Sequence, residues 1–517
     1  MVKHGNLTEL LPTGWIWTTL GDALRWGSGG TPTSSNRQYY GGHIPWLIIN
    51  DLTDGVVARS QSTITQAGFD NSSAKWVEPG SVLLAMYGSI GKLGIAGVRL
   101  TTNQAIAFTN PAPINEKYLF YYLLSEKSGL SSLGKGATQR NISQTVIKTY
   151  PFALAPLNEQ KRIVDAIETQ FTRLDVGVAG LKTIQAKLKR YRAAVLKAAV
   201  EGTLTEAWRA QHSDVEPASD LLQRILRERC AAWELGELAK YAKAGRTPPV
   251  GWQAKYKEPI SPSTSSLPSL PKNWSWATPA QLAAADNYAL AIGPFGSNLK
   301  VEDYRTEGVP LIFVRNIRSG VFDGLDTHYI ALEKAEALQA HRVIAGDVLI
   351  TKMGDPPGDA RLYPDNRPPA VITADCIKWT LSPALPEHQY FVHAINSQLI
   401  RKLIRDITQG VAQLKVSLGR FEKIAIPLPP VDEQEQIVAE VDRLLSVVDE
   451  GEAQIQVELK RAGRLRQSIL KQAFDGTLVS QDPSDEPASA LLERIRADKS
   501  RDTSVTSERD AVQLELV

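Results

Sequence analysis

Two stretches of this chain cannot be buried by themselves. After "YPFALAP" (150–156) the positions Ile167, Phe171, Leu174, Val178, Leu181, Gln185, Leu188, Arg192 and Val195 follow one another at alternating steps of four and three. After "IAIPLPP" (424–430) the same rhythm returns in Val441, Leu445, Val448, Glu452, Ile455, Leu459, Ala462, Arg466 and Ile469. Such spacing lays a seam along one helix face that is buried only against another helix. The prolines before each stretch block helix propagation backwards. Asn158 and Asp432 are the expected N-caps and Gly202 and Gly476 the expected stops, so each helix should run about 44 residues, or roughly 65 Å. Gln185, Arg192, Glu452 and Arg466 weaken the seam but can fix its register.

The two helices belong to a longer internal repeat. "LPTGWIWTTLGD" (11–22) is answered by "LPKNWSWATPAQL" (270–282), "IPWLIINDLTDG" (44–55) by "VPLIFVRNIRSG" (309–320), and "VEPGSVLLAMYGS" (77–89) by "VIAGDVLITKMGD" (343–355). "GATQRNISQTVIKTYPFALAPLNEQ" (136–160) matches "GVAQLKVSLGRFEKIAIPLPPVDEQ" (410–434), "EGTLT" (201–205) matches "DGTLV" (475–479), and "EPASDLLQRI" (216–225) returns as "EPASALLERI" (486–495). Order is kept while the offset drifts, as in a duplicated module with loop insertions. Each half opens with short β-like runs, in the first half Ile44–Asn50, Ser81–Tyr87, Gly94–Val98 and Ala105–Phe108, and then a helix, 115–127 or 386–398.

The expected fold class is α+β, with two tandem mixed α/β domains, two long antiparallel coiled-coil spacer helices between them, and a pseudo-twofold repeat. The expected boundaries are 1–156 for the first domain and 157–243 for the first spacer helix plus a charged amphipathic helix (213–240). A Pro/Ser-rich linker (244–271) follows, then 272–430 for the second domain, 431–480 for the second spacer helix, and 481–517 for a C-terminal helix and tail. The linker carries six prolines, which suits an extended traverse. A length of 517 residues is too long for one core, and 43% hydrophobic with 22% charged residues describes an ordinary globular protein. Cys230 and Cys376 have neither metal nor redox spacing, the start "MVKHGNLTEL" is no signal peptide, and no apolar run reaches membrane-spanning length. A cytoplasmic location is the expectation.

In order, "LPTGWIWTTLGD", "GGTPTSSNRQYYGGHIPW" (29–46), "GATQRNIS", "PLNEQKRIV" and "AVLKAAVEGTLT", followed by "GPFGSNLKVEDY" (293–304), "GVPLIFVRNI" and "PLPPVDEQEQIV", resemble the specificity subunit of type I restriction-modification systems over nearly the whole chain. The resemblance implies two target-recognition domains, each reading one half of a bipartite site in double-stranded DNA. It implies spacer helices that hold the domains apart and dock two methyltransferase subunits, with restriction subunits in the same complex. No cofactor is implied for this chain; S-adenosylmethionine, ATP and Mg are expected only in the partner subunits. The second half departs from the pattern where "GVAQLKVS" has Lys415 in place of the Asn141 of "GATQRNIS".

Base edges are distinguished by bidentate groups, chiefly Arg or Lys on guanine and Asn or Gln on adenine. Glycine-rich loops let the backbone approach DNA. The candidates are Arg37, Tyr39, Tyr87, Ser89, Lys92, Asn103, Gln104, Gln139, Arg140 and Asn141 in the first domain. In the second they are Ser297, Asn298, Lys300, Arg315, Asn316, Arg318, Lys352, Arg361, Gln413 and Lys415. For each, the bland alternative is a solvated loop residue or a side chain capping its own turn. The formal charge of +2 neither demands nor excludes nucleic acid, but residues 181–200 hold six basic and no acidic side chains. Lys187, Lys189 and Arg190, with Arg464 and Lys471 in the second helix, are candidate phosphate contacts. Trp15, Trp17, Trp274 and Trp276 read as packing residues.

Catalytic motifs fall short. "DPPG" (355–358) lacks the aromatic of an amino-methyltransferase loop, "GSIGKL" (88–93) lacks the first glycine of a phosphate loop, and "SIGK" (89–92) lacks its partner motifs. "PD" (364–365) with "DCIK" (375–378) has one residue too many for a nuclease pair, and the seven histidines show no metal spacing. A non-catalytic recognition subunit is therefore expected; the alternatives are a methyltransferase or nuclease in its own right, or a coiled-coil scaffold that binds only protein.

Overall fold

The computed structural model describes residues 11–134, 141–410 and 414–514, apart from the side chains of Ser297 and residues 502–514. The chain forms two compact units, Met1–Lys182 with Gln456–Val517, and Thr183–Ile455. The first long helix, Leu157–Glu201, gives its opening turns to the first unit and the remainder to the second; the second long helix, Val431–Phe474, does the reverse.

In the first unit, strand Ile16–Thr19 pairs antiparallel with Pro151–Leu154, so the globular domain closes where it began. Between them a five-stranded sheet runs in the order Trp26–Ser28, Ile106–Thr109, Val82–Ala85, Leu93–Ala96, Gly55–Val57. A four-stranded sheet runs Ser62–Ile64, Tyr40–Leu47, Leu100–Thr102, Trp76–Val77. Val82–Ala85 and Ile106–Thr109 are buried along their whole length, which is why they read as continuous apolar runs rather than alternating ones.

The second unit repeats this plan. Ser275–Ala277 pairs with Ile426–Leu428. One sheet runs Leu290–Ile292, Cys376–Trp379, Val348–Thr351, Ala360–Leu362, and the other Tyr329–Ile330, Val309–Ile312, Ala370–Ile372, Arg342–Val343. Even the lone parallel junction of the second sheet recurs, Trp46 opposite Thr101 in one unit and Leu311 opposite Val371 in the other. The helices expected at 115–127 and 386–398 are Glu116–Ser125 and His388–Asn396.

The long helices span 45 and 44 residues. They begin at Leu157 and Val431, so Asn158 and Asp432 lie inside the first turn and do not cap it. The carbonyls of Pro156 and Pro430 start the ladders instead, accepting from the backbone N–H of Gln160 at 2.9 Å and of Gln434 at 3.0 Å. Gly202 and Gly476 end or follow the helices at φ +72° and +71°, a conformation that favours glycine. From 171 to 192 only the expected seam positions of the first helix escape full exposure. In the second unit Arg192 bonds Asp449 and Glu452 across the antiparallel pair, and Leu188 packs on Gly451. In the first unit Arg466 bonds Asp175 and stacks over Phe171. These are one ion pair built twice, and they place the polar seam residues where they set register.

The linker is less extended than its prolines imply. Trp252, in the short turn Trp252–Lys255, stacks on Trp233 with centroids 5.8 Å apart, and Tyr256 lies 5.4 Å from the same ring. Clustering these aromatic rings removes apolar surface from water and folds the linker onto helix Ala218–Lys243.

The repeated Glu-Gln pair at each helix start is buried. Gln160 and Gln434 donate to the carbonyls of Ala155 and Pro429, fastening the helix to the strand before it. Glu433 accepts from Thr205 (2.7 Å), from the guanidinium of Arg209 (2.7 Å) and from the indole of Trp274 (2.8 Å). Glu159, its counterpart, has Gln481 at 3.2 Å where Glu433 has an arginine. Burial pushes the Glu159 carboxyl above the usual range, against the opposing pull of Gln481 and Arg162. A raised carboxyl favours the neutral form in the folded state. The contribution of Glu159 to stability should therefore increase as pH falls through its folded pKa towards the ordinary glutamate range. Glu159→Gln is expected to flatten that slope in urea unfolding followed against pH; an unchanged slope would show that other groups produce it.

Candidate nucleic-acid interface

In both units the loop that follows the fully buried central strand meets a later segment, residues 141–142 in the first and 415–416 in the second. In the first unit Tyr87 forms a β-bridge with Asn141, and Ile142 donates its N–H to Met86 O at 2.9 Å. In the second, Met353 bridges Lys415, and Val416 donates to Lys352 O at 3.0 Å. Asn141 and Lys415, which differ between the two copies of the motif, thus occupy the same structural place.

The first-domain candidates divide into two places. Ser89 and Gln104 are exposed, Tyr87, Lys92 and Asn103 half-buried, and Asn141 exposed, all on loops joined by backbone bonds such as Met86 N to Ala105 O at 2.8 Å. Thr31 donates to Gln104, drawing the glycine-rich segment 29–31 into the same group. Gly29 sits against the carbonyl of Thr102, where any Cβ would collide, so this approach requires glycine. Arg37 and Tyr39 lie on the turn Arg37–Tyr39, backed by the segment 65–68. Lys92 Nζ is held by the carbonyls of Ile49 and Asn50, at 3.1 and 3.3 Å, and Asn103 caps its own turn through Ala105 N–H. Gln139 and Arg140 lie outside the described residues.

In the second domain Asn298, Lys300, Arg315, Arg318, Arg361 and Lys415 are exposed. Several of these are committed to protein contacts. Arg318 pairs with Asp359 at 2.8 Å and bonds Pro356 O at 3.0 Å, Arg361 donates to Ile317 O at 3.0 Å, and Arg315 donates to Asp326 O at 2.7 Å. Burial tends to raise the Asp359 carboxyl, but Arg401 and Arg318 outweigh it and hold the group low. Asn316 is buried and spent internally: it caps Phe313 N–H and donates to Val321 O. Lys352 is 8% exposed, donates to Ala374 O at 3.1 Å and lies under the ring of Phe295. Burial, with Lys415 nearby, pushes its ammonium below the usual lysine range, although Asp375 opposes this. The Ser297 side chain and Gln413 lie outside the described residues.

Of the spacer candidates, Lys187, Lys189, Arg190, Arg464 and Lys471 are exposed, and Lys471 pairs with Asp475. Of the four tryptophans expected to pack, Trp15 and Trp274 are buried and Trp17 and Trp276 half-buried. The described residues hold no group of three or more His, Cys, Asp or Glu side chains able to bind a metal ion, and no described helix is long and apolar enough to cross a membrane.

A family model described as "Type I restriction modification DNA specificity domain" matches residues 12–186 and 317–461, more than half of the chain. This chain belongs to the type I restriction-modification DNA specificity family. It is 24% identical over 508 residues to the type I restriction enzyme EcoDI specificity subunit of Escherichia coli, covering 95% of this chain and 96% of the relative. It is 23% identical to the EcoBI specificity subunit of the same species, over 88% of this chain and 86% of that one. A chain from a solved type I R-M system, studied for complex assembly and conformational transition, superposes with a TM-score of 0.59 at 16% identity, over 90% of this chain and 99% of that one. That likeness concerns the fold, two mixed α/β domains with two long helices. As a member of this family the specificity subunit is a recognition component and not itself a catalyst. Phe295, exposed between two glycines in "GPFGS", was not among the candidates.

Proposed function

We propose that the two globular domains each read one half of a bipartite double-stranded DNA site, while the two long helices set the separation of the half-sites and dock two methyltransferase subunits. Restriction subunits join the same complex in the cytoplasm. The chain needs no cofactor of its own, and S-adenosylmethionine, ATP and Mg act in the partners. The observation that carries this reading is the duplicated loop junction with different side chains, Tyr87 and Asn141 in one copy against Met353 and Lys415 in the other. A repeated scaffold presenting unlike side chains is what two unlike half-sites require.

The test is an insertion. Four residues added to one long helix extend it by about 6 Å. Methylome sequencing of a host carrying the complete system should then show the gap between half-sites lengthened by about one or two base pairs, with both half-sites unchanged. An altered half-site would contradict the spacing role, and a complex without sequence preference would favour a scaffold that binds only protein.

A further inference from the structure

We propose that Phe295 makes the second domain read a thymine, by packing its exposed ring edge on the C5-methyl group in the major groove. This inference rests on the DNA-reading role proposed above. Phe295 is 59% exposed, yet it is not a loose tip. The Lys352 ammonium lies 4.7 Å from the ring centroid, and Lys352 is itself fixed by Ala374 O and by backbone bonds to Asp375 and Val416. Two residues earlier in the chain than Phe295, Gly293 sits so close to Thr373 that no Cβ would fit, and its N–H bonds Cys376 O at 3.2 Å. One face of the ring is thus backed by a lysine on the domain framework, leaving a rigid hydrocarbon surface open to solvent.

The first domain carries different chemistry at the equivalent position. Gly29 lies against Thr102 as Gly293 lies against Thr373, which sets Thr31 in the place of Phe295. Thr31 bonds Gln104, so the first domain offers a hydroxyl and an amide there, groups that recognise base donors and acceptors. The second domain offers hydrocarbon at the same place. In the major groove the thymine methyl is the apolar feature of the base edges, and a phenylalanine is one of the side chains that matches it.

The experiment uses the specificity subunit assembled with its methyltransferase subunits and duplexes carrying its bipartite site. Each thymine of the half-site read by the second domain is replaced in turn by deoxyuridine, which removes only the methyl group. At one position wild-type affinity should fall about fourfold, the value of one buried methyl. Phe295→Ala should bind the thymine and deoxyuridine duplexes equally, while keeping wild-type discrimination in the other half-site. If Phe295→Ala loses the other half-site too, the fold is damaged, and Phe295→Leu, which keeps an apolar group, decides by retaining part of the thymine preference. Thymine preference that survives in Phe295→Ala overturns the inference, as does a half-site without a methyl-sensitive thymine. If Phe295→Ala weakens both duplexes by the same factor, so that the thymine preference persists, the ring wedges between base steps instead, which also overturns it. A complex with no bipartite preference would overturn the underlying reading instead.

Discussion

Glu433→Ala is expected to destabilise the second compact unit by about 3–5 kcal/mol, the cost of leaving a buried ion pair with one partner. Glu433 has no exposed side-chain surface and Arg209 keeps only 16% of its own. Removing the carboxylate strands that guanidinium, frees the Thr205 hydroxyl and leaves the Trp274 indole unsatisfied. The equivalent Glu159→Ala should cost the first unit less, about 1–3 kcal/mol, because its partner is the neutral amide of Gln481. Hydrogen exchange resolved by unit is the measurement. Faster exchange around 203–209 and 271–274 in the Glu433 variant, with residues 11–155 unaffected, is the expected pattern. Equal losses from the two substitutions would show that the arginine contributes nothing beyond an ordinary hydrogen bond.

Exchange of the first globular domain should have the largest effect on recognition. Residues 11–155 begin and end beside one another, since Ile16 pairs with Leu154 and Thr19 with Pro151. A domain closed in this way can be replaced by that of a relative without cutting a sheet, provided the buried Glu159 and Gln160 remain to receive it. The chimera should methylate sites in which one half is entirely new and the other is unchanged, as methylome sequencing would report. A change in both halves would mean that the two domains do not read independently.

The parts legible in the sequence are those governed by local periodicity. The four-three rhythm forecast which face of each long helix is withdrawn from water, because helix geometry alone relates those positions. Gly202 and Gly476 marked the helix ends, because a left-handed residue is needed there. The caps were misread: Asn158 and Asp432 are good capping residues, but the carbonyl of the preceding proline already opened the ladder. The sequence could not separate exposed loop residues from those spent on internal hydrogen bonds. Asn316 and Asn298 look alike in sequence, yet the first is consumed within its own turn and the second is exposed.

What the sequence by itself determined is the duplication, the two long helices with their polar register pairs, and membership of a DNA specificity family, because repeats, periods and motif order are properties of the chain read in line. Only the tertiary structure decided which polar groups remain for a ligand. Lys352 under Phe295, Arg318 on Asp359 and Arg209 on Glu433 are contacts between residues 41 to 224 positions apart in the last two pairs, and burial and hydrogen bonding across such distances depend on how the strands and loops pack.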